Sequence, residues 1–375
     1  MEQSLDTFLQ PIFIHLHTHP EISWEEKETT NYLVKTLKEI GLQPILFEGM
    51  TGLYVDIGEG EPKVGFRTDI DALWQEVDGE FKANHSCGHD GHMTVALGIA
   101  KLLKEMEKEL DGAIRIIFQP AEETGAGAKA VIETEIIEPL QYLFGMHVRP
   151  LVELERGTCS ASILHGAARL IKGEINGVEA HGARPEQGTN AIEVAAALVT
   201  GMKSIWISPT ESASIKMTQL EAGGKSANII PGNATFSLDV RAQKNSVMEE
   251  LLQALERVLK SVEAMYEVKI DIDIQSQIVA AEVDKEAERI LYEAIQANVG
   301  KEHAVQRLVT PGGEDFHYYT YAYPNLKATM LGLGCGVTPG LHHPHMTFDT
   351  AYLKTGVMIM KDALVRALGE VNKDE

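Results

Sequence analysis

The sequence predicts an α/β protein: a mostly parallel sheet in a larger domain, with an inserted ferredoxin-like β-α-β-β-α-β domain. Three observations carry this. Short β-rich apolar runs alternate with amphipathic helical runs up to about residue 146, the pattern of a parallel sheet. From about residue 166 the order becomes β-α-β-β-α-β, the ferredoxin-like arrangement. Asp69, Asp71, Glu122, Glu123 and His147 each fall just after a predicted strand. That is the sheet edge at which α/β proteins bind ligands.

Helical spacing runs over 3–16 and breaks at His19-Pro20. On a helix, His15 and His19 of the alternating series His15, His17, His19 share a face. Residues 24–40 read as an amphipathic helix closed by Gly41. Strands are expected at 52–57 and 63–67, then a helix at 93–103, a strand at 113–118, a helix at 126–133 and a strand at 142–146. The inserted block reads strand 168–175, helix 190–204, strands 214–220 and 234–241, helix 247–265 and strand 269–274. The first fold resumes with helix 284–298, strand 328–333, a histidine-rich loop and helix 351–368. The expected domains are therefore 1–165 with 280–375, and 166–279. At 375 residues the chain is long enough for two cores.

A net charge of −22 argues against nucleic acid, whose phosphates need Lys and Arg, and against an anionic membrane surface. Hydrophobic residues make up 44% and charged residues 23%, the balance of a soluble globular protein. Three cysteines are no disulfide framework. Without an apolar leader or a membrane-length apolar run, a cytoplasmic location is expected.

The densest chemistry lies at His85-Ser-Cys-Gly-His-Asp-Gly-His92, read as a loop feeding the 93–103 helix. Three imidazoles, a thiol and a carboxylate within eight positions are nearly a full set of metal ligands. Behind the next strand, Glu122 and Glu123 offer two carboxylates: one can bind metal while the other handles protons. His147 shares that sheet edge. Gly340-Leu-His-His-Pro-His345 offers three further histidines, of which one or two can reach the same site. In the inserted block, His181 could stabilise an oxyanion, and Arg241 suits a bidentate carboxylate.

These residues resemble the M20 family of metallo-amidohydrolases and peptidases, nearest its aminoacylase-like branch of auxin-conjugate hydrolases, hippurate hydrolases and N-acetyl-diaminopimelate deacetylases. The motifs appear in order over essentially the whole chain: His19-Pro-Glu-Ile-Ser23, Arg67-Thr-Asp-Ile-Asp-Ala-Leu73, Cys87-Gly-His-Asp-Gly-His92, Phe118-Gln-Pro-Ala-Glu-Glu123, Gly145-Met-His147, Ala180-His181, Asn228-Ile-Ile-Pro231, Gly313-Glu-Asp-Phe316 and Leu341-His342. The resemblance implies two divalent metals held by Cys87, His89, Glu123, His147 and His342. It implies Glu122 as general base and Asp71 as a residue orienting the ligands. His181, Asn228 and Arg241 would serve the substrate from the lid, with His181 in its own or the partner's site of a homodimer joined through the lid. Trp74 and Ser86 depart from the family's common proline and alanine and bear on pocket shape.

The implied activity is metal-dependent hydrolysis of an N-acyl amino acid or a similar amide conjugate. A thiolate with imidazoles favours Zn, Co, Ni or Mn over Mg or Ca. A dipeptidase of the same fold is the alternative within the family. A TIM-barrel amidohydrolase, suggested by His15-x-His17, needs about eight βα units, which the inserted block interrupts. A non-catalytic binding protein with a retained metal site would have no use for Glu122.

Overall fold

The computed structural model describes residues 2–374. They form two compact units: 2–164 with 282–310 and 315–374, and 165–281 with 311–314.

The first unit is built on an eight-stranded sheet. Its spatial order is Ile45–Leu46, Leu53–Gly58, Ala113–Gln119, Pro62–Asp69, Tyr142–Pro150, Lys327–Val337, Cys159–Ser160 and Ala304–Val305. Pro62–Asp69 pairs in parallel with Ala113–Gln119 and Tyr142–Pro150, which pairs in parallel with Lys327–Val337. Leu53–Gly58 and Cys159–Ser160 add antiparallel partners. Every residue of Ala113–Gln119 and Tyr142–Pro150 is buried. Strands covered on both faces read as continuous apolar runs, which is why these two were visible in the sequence.

Helices Glu2–Thr18, His89–Glu105, Lys285–Val299 and Leu353–Asp374 pack against one another, and the last two of these, with His89–Glu105, also contact the sheet. Their apolar faces join one core that includes Leu9, Leu97, Leu291, Val357 and Leu364. Helix Lys27–Ile40 starts where the Glu21 carboxylate accepts the N–H groups of Glu28 (3.2 Å) and Thr29 (2.7 Å), and it ends at left-handed Gly41.

Two local differences matter for the site. The third long helix starts at His89, not at 93, so His89 and His92 lie on its first turn. Gly88 makes this start possible. It is left-handed (φ +91), and a Cβ there would lie 2.5 Å from Val148 Cγ2. A hairpin, Leu73–Val77 with Glu80–Asn84, was not expected as strands. Its Asp78-Gly79 turn has positive φ at both positions (56° and 86°), the type I′ geometry that Asp-Gly favours.

The second unit carries an antiparallel sheet in the order Ala213–Ala222, Asn233–Ala242, Ala167–Asn176, Lys269–Ile278. With helices Ala191–Met202 and Asn245–Tyr266 it gives the β-α-β-β-α-β order read from the sequence. Ile171, Phe236 and Val240 of the sheet join Leu198, Leu251 and Leu255 of the helices in a separate core. Residues 311–314 also belong to this unit, where Gly166 N–H donates to Gly312 O at 3.1 Å. The chain therefore crosses between the units four times, where two crossings were expected. Among the described residues no helix is long and apolar enough to cross a membrane.

Candidate metal centre

The first unit brings Cys87, His89, Glu123, His147 and His342 together from four separate stretches of chain. Ligand atoms of Cys87, His89 and His147 lie within 4.8 Å of one another, as do those of Cys87, Glu123 and His342. Cys87 Sγ is 3.5 Å from His147 Nε2, and His342 Nε2 is 3.5 Å from Glu123 Oε2. His89 Nε2 is 3.8 Å from both Glu122 Oε2 and Glu123 Oε1.

His147 and His89 are each oriented by their other nitrogen. His147 Nδ1 donates to Val148 O at 2.7 Å, which leaves the Nε2 lone pair facing Cys87. His89 Nδ1 donates to Asp71 O at 2.8 Å, with Asp71 Oδ1 at 3.3 Å, and its Nε2 faces the two glutamates. This arrangement fixes the tautomer of a metal-binding imidazole. His342 sits at φ +63 with its N–H on Ser86 O at 2.8 Å, while Gln75 Nε2 donates to its carbonyl at 3.1 Å. Gln75 Oε1 also takes Ser86 Oγ and Asn84 Nδ2, so the unexpected hairpin holds the histidine loop.

Asp71 ties the remaining parts together. Its Oδ2 accepts Ser23 Oγ–H at 2.7 Å and Glu123 N–H at 3.0 Å. Behind it, buried Asp69 joins His92 Nδ1 (2.7 Å) and Arg67 Nη1 (2.8 Å). Arg67 continues to Asp315 Oδ1 (2.6 Å) and to Gln119 Oε1 (2.8 Å). His92 Nε2 accepts Val148 N–H at 3.0 Å, so both its nitrogens are engaged within the protein. The sequence placed Arg67, Gln119 and Asp315 in motifs without assigning them this supporting role.

The electrostatics suit a cation. Burial pushes the Glu123 carboxyl up to about 7, against the pull of His89. Burial, then Glu123, pushes the Cys87 thiol well above its usual range. Burial, with His92 and Arg149, keeps His147 neutral, as a ligand must be. Burial would lower His89, but Asp69 and Cys87 outweigh it and hold its pKa well above normal. A field that favours a proton on His89 also favours a metal ion there.

The residues fit a metal on independent grounds. His89 Nε2, Glu123 Oε1 and Asp71 Oδ1 are buried without a hydrogen-bond partner among the described residues. Buried polar atoms seldom remain so. Two converge with a thiol and two further imidazoles, the donor set of a transition-metal site.

In the second unit, His181 and Asn228 are neighbours: Gly182 N–H donates to Asn228 O at 2.7 Å. His181 Nδ1 accepts Ala183 N–H at 3.0 Å, so the neutral ring carries its proton on Nε2. Arg241 pairs with Asp239 at 3.0 Å and lies near the far end of the Asn233–Ala242 strand. Eight residues of extended strand span roughly 26 Å. That length separates Arg241 from Asn233, the strand end to which the Asn228 segment leads.

Fold and site together define a hydrolase of amides with a metal-binding centre at the edge of a parallel sheet. Residues 65–366 match peptidase family M20/M25/M40, and the chain belongs to that family. It is 33% identical over 362 residues to the N-acetyl-L-cysteine deacetylase of Bacillus subtilis, covering 93% of this chain and 86% of that protein. It is 28% identical over 384 residues to IAA-amino acid hydrolase ILR1-like 5 of Arabidopsis thaliana, covering 96% and 87%. Among solved structures it resembles the YXEP protein of Bacillus subtilis, described as a dinuclear metal binding peptidase of the M20 family. The TM-score there is 0.85 at 27% identity, over 98% of this chain and 99% of that one.

Proposed function

We propose that this protein hydrolyses the amide bond of N-acyl amino acids or close amide conjugates, with two divalent transition metals (Zn, Mn, Co or Ni) in the Cys87 centre. The observation that carries this is the pair of ligand triads sharing Cys87, with Glu122 grouped beside them with His89 and Glu123, its Oε2 3.8 Å from His89 Nε2. Cys87, His89, Glu123, His147 and His342 would hold the metals. When bound, they supply a polarised carbonyl and a more acidic water.

The chain's own groups do the rest. Glu122, nine-tenths buried, takes a proton from the attacking water and returns it to the leaving nitrogen, first base and then acid. Asp71 keeps His89 in register and holds the Glu123 backbone, so both triads keep their spacing. The Nε2–H of His181 is suited to the oxyanion, with Asn228 beside it. Arg241 binds the carboxylate of the amino-acid part. The separation of Arg241 from His181 and Asn228 supports a homodimer in which one copy supplies the His181–Asn228 pair and another supplies Arg241. The relatives named for N-acetyl-L-cysteine and for IAA-amino acid support the same substrate class here.

The test is hydrolysis of N-acetyl amino acids, hippurate and dipeptides, before and after chelation and metal add-back. Cleavage of acylated amino acids that is lost on chelation and restored by Zn, Mn, Co or Ni is the expected result. Cleavage of dipeptides alone would make the protein a dipeptidase, and chelator-resistant cleavage would refute the metal mechanism.

A further inference from the structure

Glu26 stands at the N-terminal boundary of helix Lys27–Ile40, yet its side chain caps nothing there. Glu21 takes that helix's free N–H groups instead. Glu26 is fully buried. A buried carboxylate is costly unless hydrogen-bonded, so its partners show what it is for. Oε2 accepts the Thr51 hydroxyl at 2.6 Å, and Oε1 accepts the backbone N–H of Ala121 at 2.9 Å.

Ala121 lies 95 residues further on and sits at φ +54, ψ +40. Left-handed backbone is disfavoured for a residue with a Cβ and persists only where its surroundings impose it. Here they do. The Ala121 carbonyl accepts Gly127 N–H at 3.1 Å and Thr124 Oγ–H at 3.0 Å. Gly127 presses so closely that a Cβ on it would lie 1.7 Å from Pro120 O. Glu26 is the clamp on the amide side. The next two residues are Glu122 and Glu123, and Glu123 has its own tie through Asp71.

We infer that Glu26 is a positioning residue for the hydrolytic step: by holding Ala121 left-handed, it aims the Glu122 carboxylate. This inference rests on the general-base reading of Glu122. Without the clamp the turn relaxes, and Glu122 shifts while the Asp71-held Glu123 keeps its metal.

The experiment measures kcat, KM and bound metal per folded chain in four variants of the full-length enzyme. Glu26→Leu removes the acceptor and should lower kcat by about tenfold or more, with metal content intact and KM within about twofold, since small misplacements of a reacting group carry penalties of that size. Glu26→Gln keeps an oxygen for Ala121 N–H and should retain most of kcat. Ala121→Gly, added to Glu26→Leu, removes the left-handed penalty and should recover much of the loss. Glu122→Gln is the reference for complete loss of the base. A purely structural role would lower folded yield and melting temperature without this kcat–KM split or the glycine rescue. Full kcat in Glu26→Leu, or no rescue by Ala121→Gly, overturns the inference while leaving the base assignment standing if Glu122→Gln is inactive. An active Glu122→Gln overturns both. Should Glu26→Leu not fold, Thr51→Val frees the other carboxylate oxygen. It should lower kcat about threefold by the same displacement, and unchanged kcat there overturns the inference.

Discussion

His92 and Asp69 share a 2.7 Å hydrogen bond, and the far nitrogen of His92 is closed by the N–H of Val148. Three residues after His89 in a metal-ligand motif comes a histidine whose two ring nitrogens are both taken up inside the protein. Its partner Asp69 is held ionised although burial opposes this, because His89, His92 and Arg67 surround it. His92→Ala should therefore leave metal stoichiometry intact at saturating metal. It should cost about 3 kcal/mol of stability, since one member of a buried charged network is lost. His147→Ala should do the reverse, losing metal first. Elemental analysis beside denaturant melts separates the two, and loss of metal in His92→Ala would return it to the ligand set.

What could be read from the sequence follows from how local each feature is. The β-α-β-β-α-β block and the buried strands Ala113–Gln119 and Tyr142–Pro150 announce themselves through periodicity and continuous apolar runs. Cys87, His89 and the glutamate pair stand out because ligand-type residues crowd into short windows. The division of labour between His89 and His92 does not, because it depends on which ring nitrogen Asp69 or Asp71 engages. The role of Glu26 is not legible in the sequence, since its partner Ala121 lies 95 residues away and its own surroundings read only as helix. The hairpin at Asp78-Gly79 carries its turn signal openly, but its strands, Leu-Trp-Gln-Glu-Val and Glu-Phe-Lys-Ala-Asn, lack the regular apolar alternation by which strands are recognised.

The glutamate pair should separate by role. Glu123→Gln removes a charged ligand, so metal affinity and activity fall together. Glu122→Gln keeps shape and hydrogen bonding but cannot take the proton. Metal content and KM should survive while kcat drops by roughly 10²–10⁴. Loss of metal in Glu122→Gln with retention in Glu123→Gln would reverse the assignment.

Cys87 belongs to both triads, so its loss should be felt at both metals. Cys87→Ala should bind fewer than two ions per chain and lose activity, whereas Cys159 and Cys335, buried in the core, should tolerate alanine with full metal content. Unchanged stoichiometry in Cys87→Ala would remove it from the site.

The dimer reading has a direct test by mixing. Take one inactive variant, Glu122→Gln, and another, His181→Ala, and exchange their subunits. If His181 serves its partner's site, a heterodimer pairs an intact Glu122 with an intact His181. Random 1:1 exchange then restores about a quarter of wild-type activity. If His181 serves its own site, no mixed site is complete and activity stays at the level of the parents. Light scattering that gives a monomer at assay concentration would also refute the shared site.

His317 supplies a pH dependence independent of the metals. It is buried, and burial together with the Arg67 charge lowers its pKa to about 3, from an ordinary value near 6.5. As pH falls below 6.5 the unfolded chain gains a proton at this ring that the folded chain refuses. The unfolded state then binds more protons, so stability falls as pH drops through the window from 6.5 to 3 and is full above it. His317→Gln cannot take up that proton. Whatever its own cost at neutral pH, its stability should decline less steeply with acid. Between pH 6.5 and pH 4.5 the gap between wild type and variant should shift by about 2 kcal/mol in the variant's favour. Urea melts of both proteins in the same chelator-containing buffers cancel the other titrating groups. Parallel stability curves over that range would show that the folded protein accepts a proton at His317 after all.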